Sequence, residues 1–364
     1  MRIVYVLEHY YPALGGVEKL FRSLAEHISK CGFEIEVLTL RNNRHDKTDE
    51  VINGVKIKRL NLINRFFFTF FSPWAVIKAS RNCDLIHTTS YNAAFPAYIA
   101  GKITGKKVII TFHEAWGELW FRLPFISYLH KVLYYLYERF ILHLNFYRFI
   151  AVSEATRGRL ISLGVPDSKI IKIYNGIDYD QYNLTHNPHN EHFTYTFFGR
   201  LGISKGIDIL LEAAKVFYSK YPKTRLNLIV SYKPKSLLRK VLKRIKKYGI
   251  ENHVNVIYEV SEDDLKKEII SSDCVVIPSY SEGFCFAAAE TIALNVPIIS
   301  SDQGALKEVV SGKHIKMKHF DSKSLIKALE SAREGKWEIS PRKRFEIKDQ
   351  IASYQELYLN IQRG

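Results

Sequence analysis

Two α/β domains, each a doubly wound parallel sheet, are predicted by three observations. Short apolar runs alternate with segments of helical period, the pattern of strands covered by helices on both faces. The pattern halts at a polar, glycine-containing junction and then restarts. The length, 364 residues, suits two domains of ordinary size.

The elements follow in order. Arg2 to Leu7 reads as a first strand, and Ala13-Leu14-Gly15-Gly16 as a turn. Val17, Leu20, Phe21, Leu24 and Ile28 then recur at helical spacing until Gly32 stops them. Further strands are expected at Glu34 to Leu40, Val55 to Leu60, Asp84 to His87, Lys107 to Phe112 and Phe149 to Val152. Ile170 to Tyr174 closes the first set. Asn175-Gly176-Ile177-Asp178 and the polar stretch Thr185 to His192 form the junction. The second set has strands at Thr194 to Phe198, Leu226 to Val230, Val254 to Tyr258, Cys274 to Ile277 and Pro297 to Ser300. Helices are expected near 206–221, 235–248, 262–271 and 286–294, with one or two more from Pro341 to Gln362. Ligands of open parallel sheets sit outside the carboxyl ends of the strands. The expected site is therefore a cleft where two such ends face each other.

Composition narrows the class. An apolar fraction of 47% excludes a disordered or collagen-like chain, and no run of about 18 apolar residues spans a bilayer. Glu8 and His9 interrupt the first apolar run too early for a signal peptide. Four scattered cysteines, without a C-x-x-C pair, point to a reducing cytoplasm and away from a disulfide framework or zinc site. The net charge of +16 divides evenly, with a net +8 up to Asp180 and a net +8 after it. The eight cations from Lys233 to Lys247 carry no interleaved aromatic platform, so they read as a solvated helix face and not a nucleic-acid site.

The strongest chemical signal is Ser281-Glu282-Gly283-Phe284-Cys285-Phe286, which follows an apolar strand and leads into a helix carrying Glu290. A strand, tight turn and helix aim backbone N–H groups at an anion or at sugar hydroxyls. A carboxylate grips vicinal hydroxyls with two oxygens. Two solvated surface glutamates are the alternative, weakened by the apolar surroundings of Glu290. The second signal is Phe198-Gly199-Arg200-Leu201-Gly202-Ile203-Ser204-Lys205-Gly206, where glycine frees the turn and Arg200 and Lys205 offer charge to a diphosphate. Its spacing is neither a Walker A loop nor G-x-G-x-x-G, and a plain turn with two exposed cations is the alternative. Gly15-Gly16 before a helix would let a phosphate or sugar approach the backbone, or is a simple tight turn. His113, at the carboxyl end of a strand, would donate to a sugar hydroxyl or carbonyl, or is structural. Asp178-Tyr179-Asp180 has D-x-D spacing but lies in the junction and reads as linker, so no metal ligand is assigned.

Two aromatic stretches stand apart. Phe66 to Trp74 is one; the other runs from Leu119 to Phe149, where 11 of 31 residues are aromatic beside Arg122, Lys131, Arg139 and Arg148. Core packing explains them, as does a surface resting on anionic lipid.

Together these segments resemble the retaining glycosyltransferases of family 4, whose two-domain fold is GT-B. The resemblance covers nearly the whole chain. It runs through Gly15-Gly16-Val17-Glu18, Ile150-Ala151-Val152-Ser153-Glu154, Tyr174-Asn175-Gly176-Ile177-Asp178, the Gly-Arg-Leu…Ser-Lys-Gly loop, the Glu282/Glu290 pair and Ser301-Asp302-Gln303-Gly304 with Glu308. It implies an acceptor-side domain at 1–178 and a nucleotide-sugar domain at 179–342. A final helix at about 343–364 would pack back on the first domain. It further implies that Arg200 and Lys205 hold the diphosphate of a UDP- or GDP-sugar and Glu290 the ribose. Glu282, Gly283, Phe284, Cys285 and Phe286 would contact the transferred sugar. His113 would reach that sugar from the first domain, and Gly15 and Gly16 the phosphates and acceptor. No metal or other cofactor is expected. Cys285 and Ala287 depart from the family's usual small residue and Pro, which leaves the donor sugar open.

The implied activity is transfer of a hexose, with retention, to a glycan or lipid-linked acceptor at the inner face of the cell membrane. A sugar-nucleotide epimerase, a phosphorylase, or a non-catalytic relative binding lipid or a partner protein are the alternatives.

Overall fold

The computed structural model describes residues 1–13, 15–188 and 191–363. Leu14 of the expected turn, His189 and Asn190 of the expected junction, and Gly364 of the expected final helix lie outside them. The chain divides into two compact units. Unit 1 comprises Met1–Trp120, Leu129–Gly176 and Ile347–Gly364; unit 2 comprises Phe121–Tyr128 and Ile177–Glu346. Residues 121–128, expected in the first domain, thus group with unit 2, where Phe125 packs against the apolar core.

Unit 1 begins with β1 (Arg2–Val6), α1 (Gly16–Lys30), β2 (Glu34–Leu40), β3 (Asp49–Ile52) and β4 (Val55–Leu60). Next come α2 (Arg65–Phe71), α3 (Pro73–Ser80), β5 (Leu85–Thr89), α4 (Ala94–Thr104) and β6 (Lys107–Phe112). It continues with α5 (Tyr128–His143), β7 (Arg148–Ala151), α6 (Glu154–Ser162) and β8 (Ile170–Lys172). The strand order is β3-β4-β2-β1-β5-β6-β7-β8, parallel except for β3 against β4. The order reverses direction between β1 and β5, so the loop after β1 leaves from the switch point, where open sheets bind ligands.

Unit 2 contains β9 (Phe193–Gly199), α7 (Ile207–Lys220), β10 (Thr224–Val230), α8 (Lys235–Tyr248), β11 (Val254–Tyr258) and α9 (Glu262–Ile270). Then follow β12 (Cys274–Ile277), α10 (Phe286–Ala293), β13 (Ile298–Ser300), α11 (Leu306–Val309), β14 (Gly312–Lys316), α12 (Ser322–Arg333) and β15 (Glu338–Ser340). Its order is β11-β10-β9-β12-β13-β14-β15, with only β15 antiparallel. Here the switch point lies between β9 and β12, the strands that precede the two strongest sequence signals. The unit's entry and exit lie side by side, because the Ile177 N–H donates to the Phe345 carbonyl at 2.9 Å and Ile177 bridges to Glu346.

The last helix, α13 (Ile347–Arg363), returns to unit 1 and packs on α1. A buried polar ladder fastens it to the sheet. The Tyr358 hydroxyl lies 2.9 Å from the Tyr5 hydroxyl and 2.7 Å from His87 Nδ1. His87 Nε2 lies 2.8 Å from Thr111 Oγ1, which meets the Tyr354 hydroxyl at 3.3 Å. Each of these polar groups is buried, and their mutual bonds replace those lost from water.

Burial, aided by the neighbouring His113, holds the His87 imidazole down to about 3. In the unfolded chain it titrates near ~6.5. Between those values the unfolded state binds the proton and the folded state does not, so stability falls as pH drops through that window. The slope from this one group is ~1.4 kcal/mol per pH unit. Urea unfolding at about pH 7 and about pH 5 should therefore show a steeper loss for the wild type than for His87→Gln. Equal losses would count against this assignment.

The aromatic stretches divide between core and surface. Phe68, Ile141, Leu142, Phe146 and Phe149 are core, whereas Phe66, Phe70, Phe71, Trp74, Leu133 and Phe140 are exposed.

Candidate active site

The site in unit 2 is built from the loops that leave β9, β12 and β13. Gly206, the N-cap of α7, has φ +66°, and a Cβ there would stand 1.8 Å from the Pro278 carbonyl oxygen. Only glycine lets α7 start this close to the end of β12. The Tyr280 N–H then donates to the Ser204 carbonyl at 2.7 Å and ties the two loops together. The third loop joins through Gly304, whose Cβ would meet the Glu282 carbonyl oxygen at 2.4 Å, and through Ala305 N–H, which donates to that oxygen at 2.8 Å.

At the centre is Glu282, only 5% exposed. Its two carboxylate oxygens accept from Lys205 Nζ at 2.8 and 2.9 Å, and Ser279 Oγ donates to one of them at 2.6 Å. Lys205, expected from sequence to offer charge to a diphosphate, is therefore anchored by a carboxylate lying 77 residues further along. Its side chain is still 30% exposed, so an incoming anion can reach the ammonium. Arg200 stands exposed after β9.

Around this pair the remaining expected residues take different roles. Phe284 is buried and meets Phe286 and Phe345 edge-on at 5.3 and 5.2 Å, so its ring is packing. Cys285 is buried at φ +76°, and burial followed by the Glu282 charge pushes its thiol well up. A protonated, buried thiol is not a nucleophile. Gly283 is buried, and α10 begins at Phe286, as the sequence predicts.

Glu290 is half-buried on α10, and its Oε1 accepts from the Tyr182 hydroxyl at 3.2 Å. Burial and the Glu290 charge push that phenol well up, so it remains a donor. The Lys266 ammonium lies over the Tyr182 ring at 5.6 Å. Sequence alone does not single out Tyr182, whose one signal is an aromatic ring in the polar run after Asp178. Asp178 itself caps a short turn, accepting from Asp180 N at 3.2 Å and Gln181 Nε2 at 2.9 Å, in keeping with a linker. Among the described residues there is no cluster of three or more His, Cys, Asp or Glu side chains that would hold a metal.

In unit 1, Gly15 is extended and Gly16 opens α1, with Glu18 buried in the first turn. That carboxylate already supplies negative charge at this helix end. His113 follows β6, is half-buried, and meets the Phe21 ring edge-on at 6.1 Å. The loop behind it is held by Glu138, a fully buried residue of α5. Its carboxylate accepts from Trp116 N at 2.7 Å, Gly117 N at 2.5 Å and the Tyr91 hydroxyl at 2.7 Å. Three donors on one buried carboxylate fix the path of the chain after His113. Nothing in the sequence signals that this lone acid of a basic, aromatic helix turns inward.

Two known families match in series. Glycosyltransferase Family 4 matches residues 14–181, and Glycosyl transferases group 1 matches residues 183–348. Among curated relatives, GDP-mannose:cellobiosyl-diphosphopolyprenol alpha-mannosyltransferase of Xanthomonas oryzae is 25% identical over 82% of this chain and 78% of its own. The Phosphatidylinositol N-acetylglucosaminyltransferase gpi3 subunit of Schizosaccharomyces pombe is 21% identical over 84% of this chain and 67% of that protein. Sucrose-phosphate synthase from Thermosynechococcus elongatus has a similar fold, with a TM-score of 0.81, 18% identity and 99% of both chains covered. Anabaena HepE in complex with UDP and glucose gives a TM-score of 0.74 at 16% identity, covering 99% of this chain and 100% of that one.

Proposed function

The chain belongs to the family 4 glycosyltransferases, with the GT-B fold, and from that premise we propose that it moves a hexose from a UDP- or GDP-sugar to a lipid-linked glycan acceptor with retention of configuration. The observation that carries the reading is the buried Glu282–Lys205 pair, set with Arg200 and Glu290 on the loops and helix around the switch point of unit 2. Support for the donor class comes from the UDP and glucose named for HepE, and for the acceptor class from the diphosphopolyprenol named for the Xanthomonas enzyme.

In this reading Arg200 and Lys205 bind the diphosphate, and Glu290, steadied by Tyr182, accepts hydrogen bonds from the ribose hydroxyls. Glu282 and the backbone from Gly283 to Phe286 orient the transferred sugar. His113 is assigned to the same sugar, and Gly15 and Gly16 to the phosphates and acceptor. Departure of the diphosphate breaks the bond from the anomeric carbon to the phosphate oxygen. The acceptor oxygen forms its bond on the same face, and the acceptor's proton passes to the departing phosphate. Charge developing on that phosphate is met by Arg200, Lys205 and the N–H groups opening α10. The side chains supply this charge themselves, and no metal is assigned a role. Four scattered cysteines without a C-x-x-C pair support a reducing compartment, and the cytoplasmic side of a membrane is the location proposed for the reaction.

Titration calorimetry with UDP and GDP tests the donor site. Arg200→Ala and Glu290→Ala should each weaken the nucleotide that binds wild type by tenfold or more, ~1.4 kcal/mol or above, without lowering the melting temperature. Unchanged affinity in both would remove the site from this loop cluster.

A further inference from the structure

At the opposite end of the unit 1 sheet from His113, a cavity of about 400 Å3 opens where β6 and β7 begin and α4 ends. Five cations line it: Lys102, Lys106, Lys107, Arg148 and Lys169. No carboxylate shares the lining, and among the described residues none of the five forms an ion pair. Some of their donors are in use. Lys107 Nζ donates to the Ile361 carbonyl at 3.0 Å, Arg148 to the Tyr147 carbonyl at 3.0 Å, and Lys169 to Asn145 Oδ1. An ammonium has three donors and a guanidinium five, so most remain for a ligand. Aromatic rings hold the heads in place: Lys102 lies over Tyr98 at 5.6 Å, and Lys107 and Arg148 over Tyr147 at 4.8 and 4.7 Å. Five like charges on one concave wall repel, and a multiply charged anion relieves that repulsion.

The surroundings identify the anion. Phe95, Tyr98 and Lys102 share one face of α4, since they are spaced three and four residues apart. Phe95 meets Phe140 at 5.8 Å and Tyr98 meets Phe146 at 5.4 Å, so the same face of α4 touches both the cavity wall and the outer face of α5. That face carries an exposed stripe of Leu129, Leu133, Leu136 and Phe140, with Leu129 65% exposed. Helix α2 packs on α4 as well, which adds Phe66, Phe70 and Phe71; Phe70 is 67% exposed. Trp74, 74% exposed, opens α3, and Ile103 is exposed beside Lys102. The only acid on α2, α3 or α5 is the buried Glu138. A soluble anion would account for the cavity but not for the apolar stripe. Hydrocarbon and clustered phosphate side by side are the chemistry of an anionic bilayer.

We propose that the cavity is a binding site for the phosphate-bearing headgroup of an anionic lipid, filled when the α2 and α5 face rests in the interfacial layer. It rests on the reading of a membrane-borne acceptor only in bringing the chain to a membrane.

The test is flotation of the full chain with phosphatidylcholine vesicles, with and without about 30% phosphatidylglycerol, in the absence of donor. Only the anionic vesicles should carry wild type. Lys102→Glu/Lys106→Glu should weaken that binding at least tenfold, and Phe70→Ser/Trp74→Ser should weaken it too. A charge-matched control on α12 of unit 2, Lys323→Glu/Lys327→Glu, should leave it within about twofold. Equal losses in the cavity and control variants would overturn the proposal, because they would mean unspecific attraction. So would binding to neutral vesicles as strong as to anionic ones. Glycerol 1-phosphate is the soluble arm: stabilisation by it that depends on Lys102 and Lys106, without vesicle binding, would reassign the cavity to a free phosphate. Calorimetry of the same variants with UDP and GDP separates this proposal from the donor site, since their nucleotide affinity should match wild type. Vesicle binding without any nucleotide binding in wild type would defeat the transferase reading and leave this one standing.

Discussion

Glu282→Gln is expected to abolish sugar transfer, lowering kcat/KM by ~100-fold or more, while the protein remains folded. The substitution keeps shape and one acceptor for Lys205 but removes the charge that anchors the ammonium. Lys205→Ala is expected to act differently. It leaves a carboxylate that is 5% exposed with Ser279 as its remaining side-chain donor. Stranding one member of a buried pair costs about 3–5 kcal/mol, and less here because Lys205 is partly exposed and water can reach the vacated side. The two variants should therefore separate in urea: Lys205→Ala unfolds earlier, whereas Glu282→Gln stays near wild type and is inactive. Normal turnover in Glu282→Gln would take that residue out of the chemistry.

Gly206→Ala should be the most damaging single methyl addition in unit 2. The new Cβ would fall 1.8 Å from a backbone oxygen, and a backbone atom at the end of β12 cannot swing aside as a side chain would. The expected loss is ~3 kcal/mol or more, with nucleotide affinity lost as well, because the β9 and β12 loops separate. Gly249→Ala is the matched comparison. It has the same φ of +66° at the end of α8, but open space where the Cβ would go. Only the left-handed penalty applies there, about 1–2 kcal/mol. Denaturation midpoints and calorimetry distinguish the two; similar losses would mean that the close approach to Pro278 is not a constraint.

Much of this architecture is legible in the sequence because the patterns are strong. Helix α8 occupies the residues expected, 235–248, since Leu237, Leu238, Val241 and Ile245 mark a buried stripe in an otherwise basic segment. The strands β3, β14 and β15 escape sequence reasoning. They are short and charged, at or near sheet edges, with half-exposed residues that blur any alternation. In the site, the loops after β9 and β12 can be placed because strand, glycine and helix follow one another along the chain. The pairing of Lys205 with Glu282, and of Tyr182 with Glu290, cannot be read that way, since 77 and 108 residues separate the partners. Glu138 is hidden for another reason. Helical periodicity places a residue on a face, but not the backbone N–H groups that a distant loop brings to it.

The return of α13 to unit 1 bears on the order in which the chain can fold as it is made. Every residue of unit 2 has been synthesised once Glu346 is added, whereas unit 1 still lacks its last helix. Until Tyr354 and Tyr358 emerge, Tyr5, His87 and Thr111 have no hydroxyl partners from α13, and the face of α1 that receives it is bare. The half of the protein that is translated first is thus completed last.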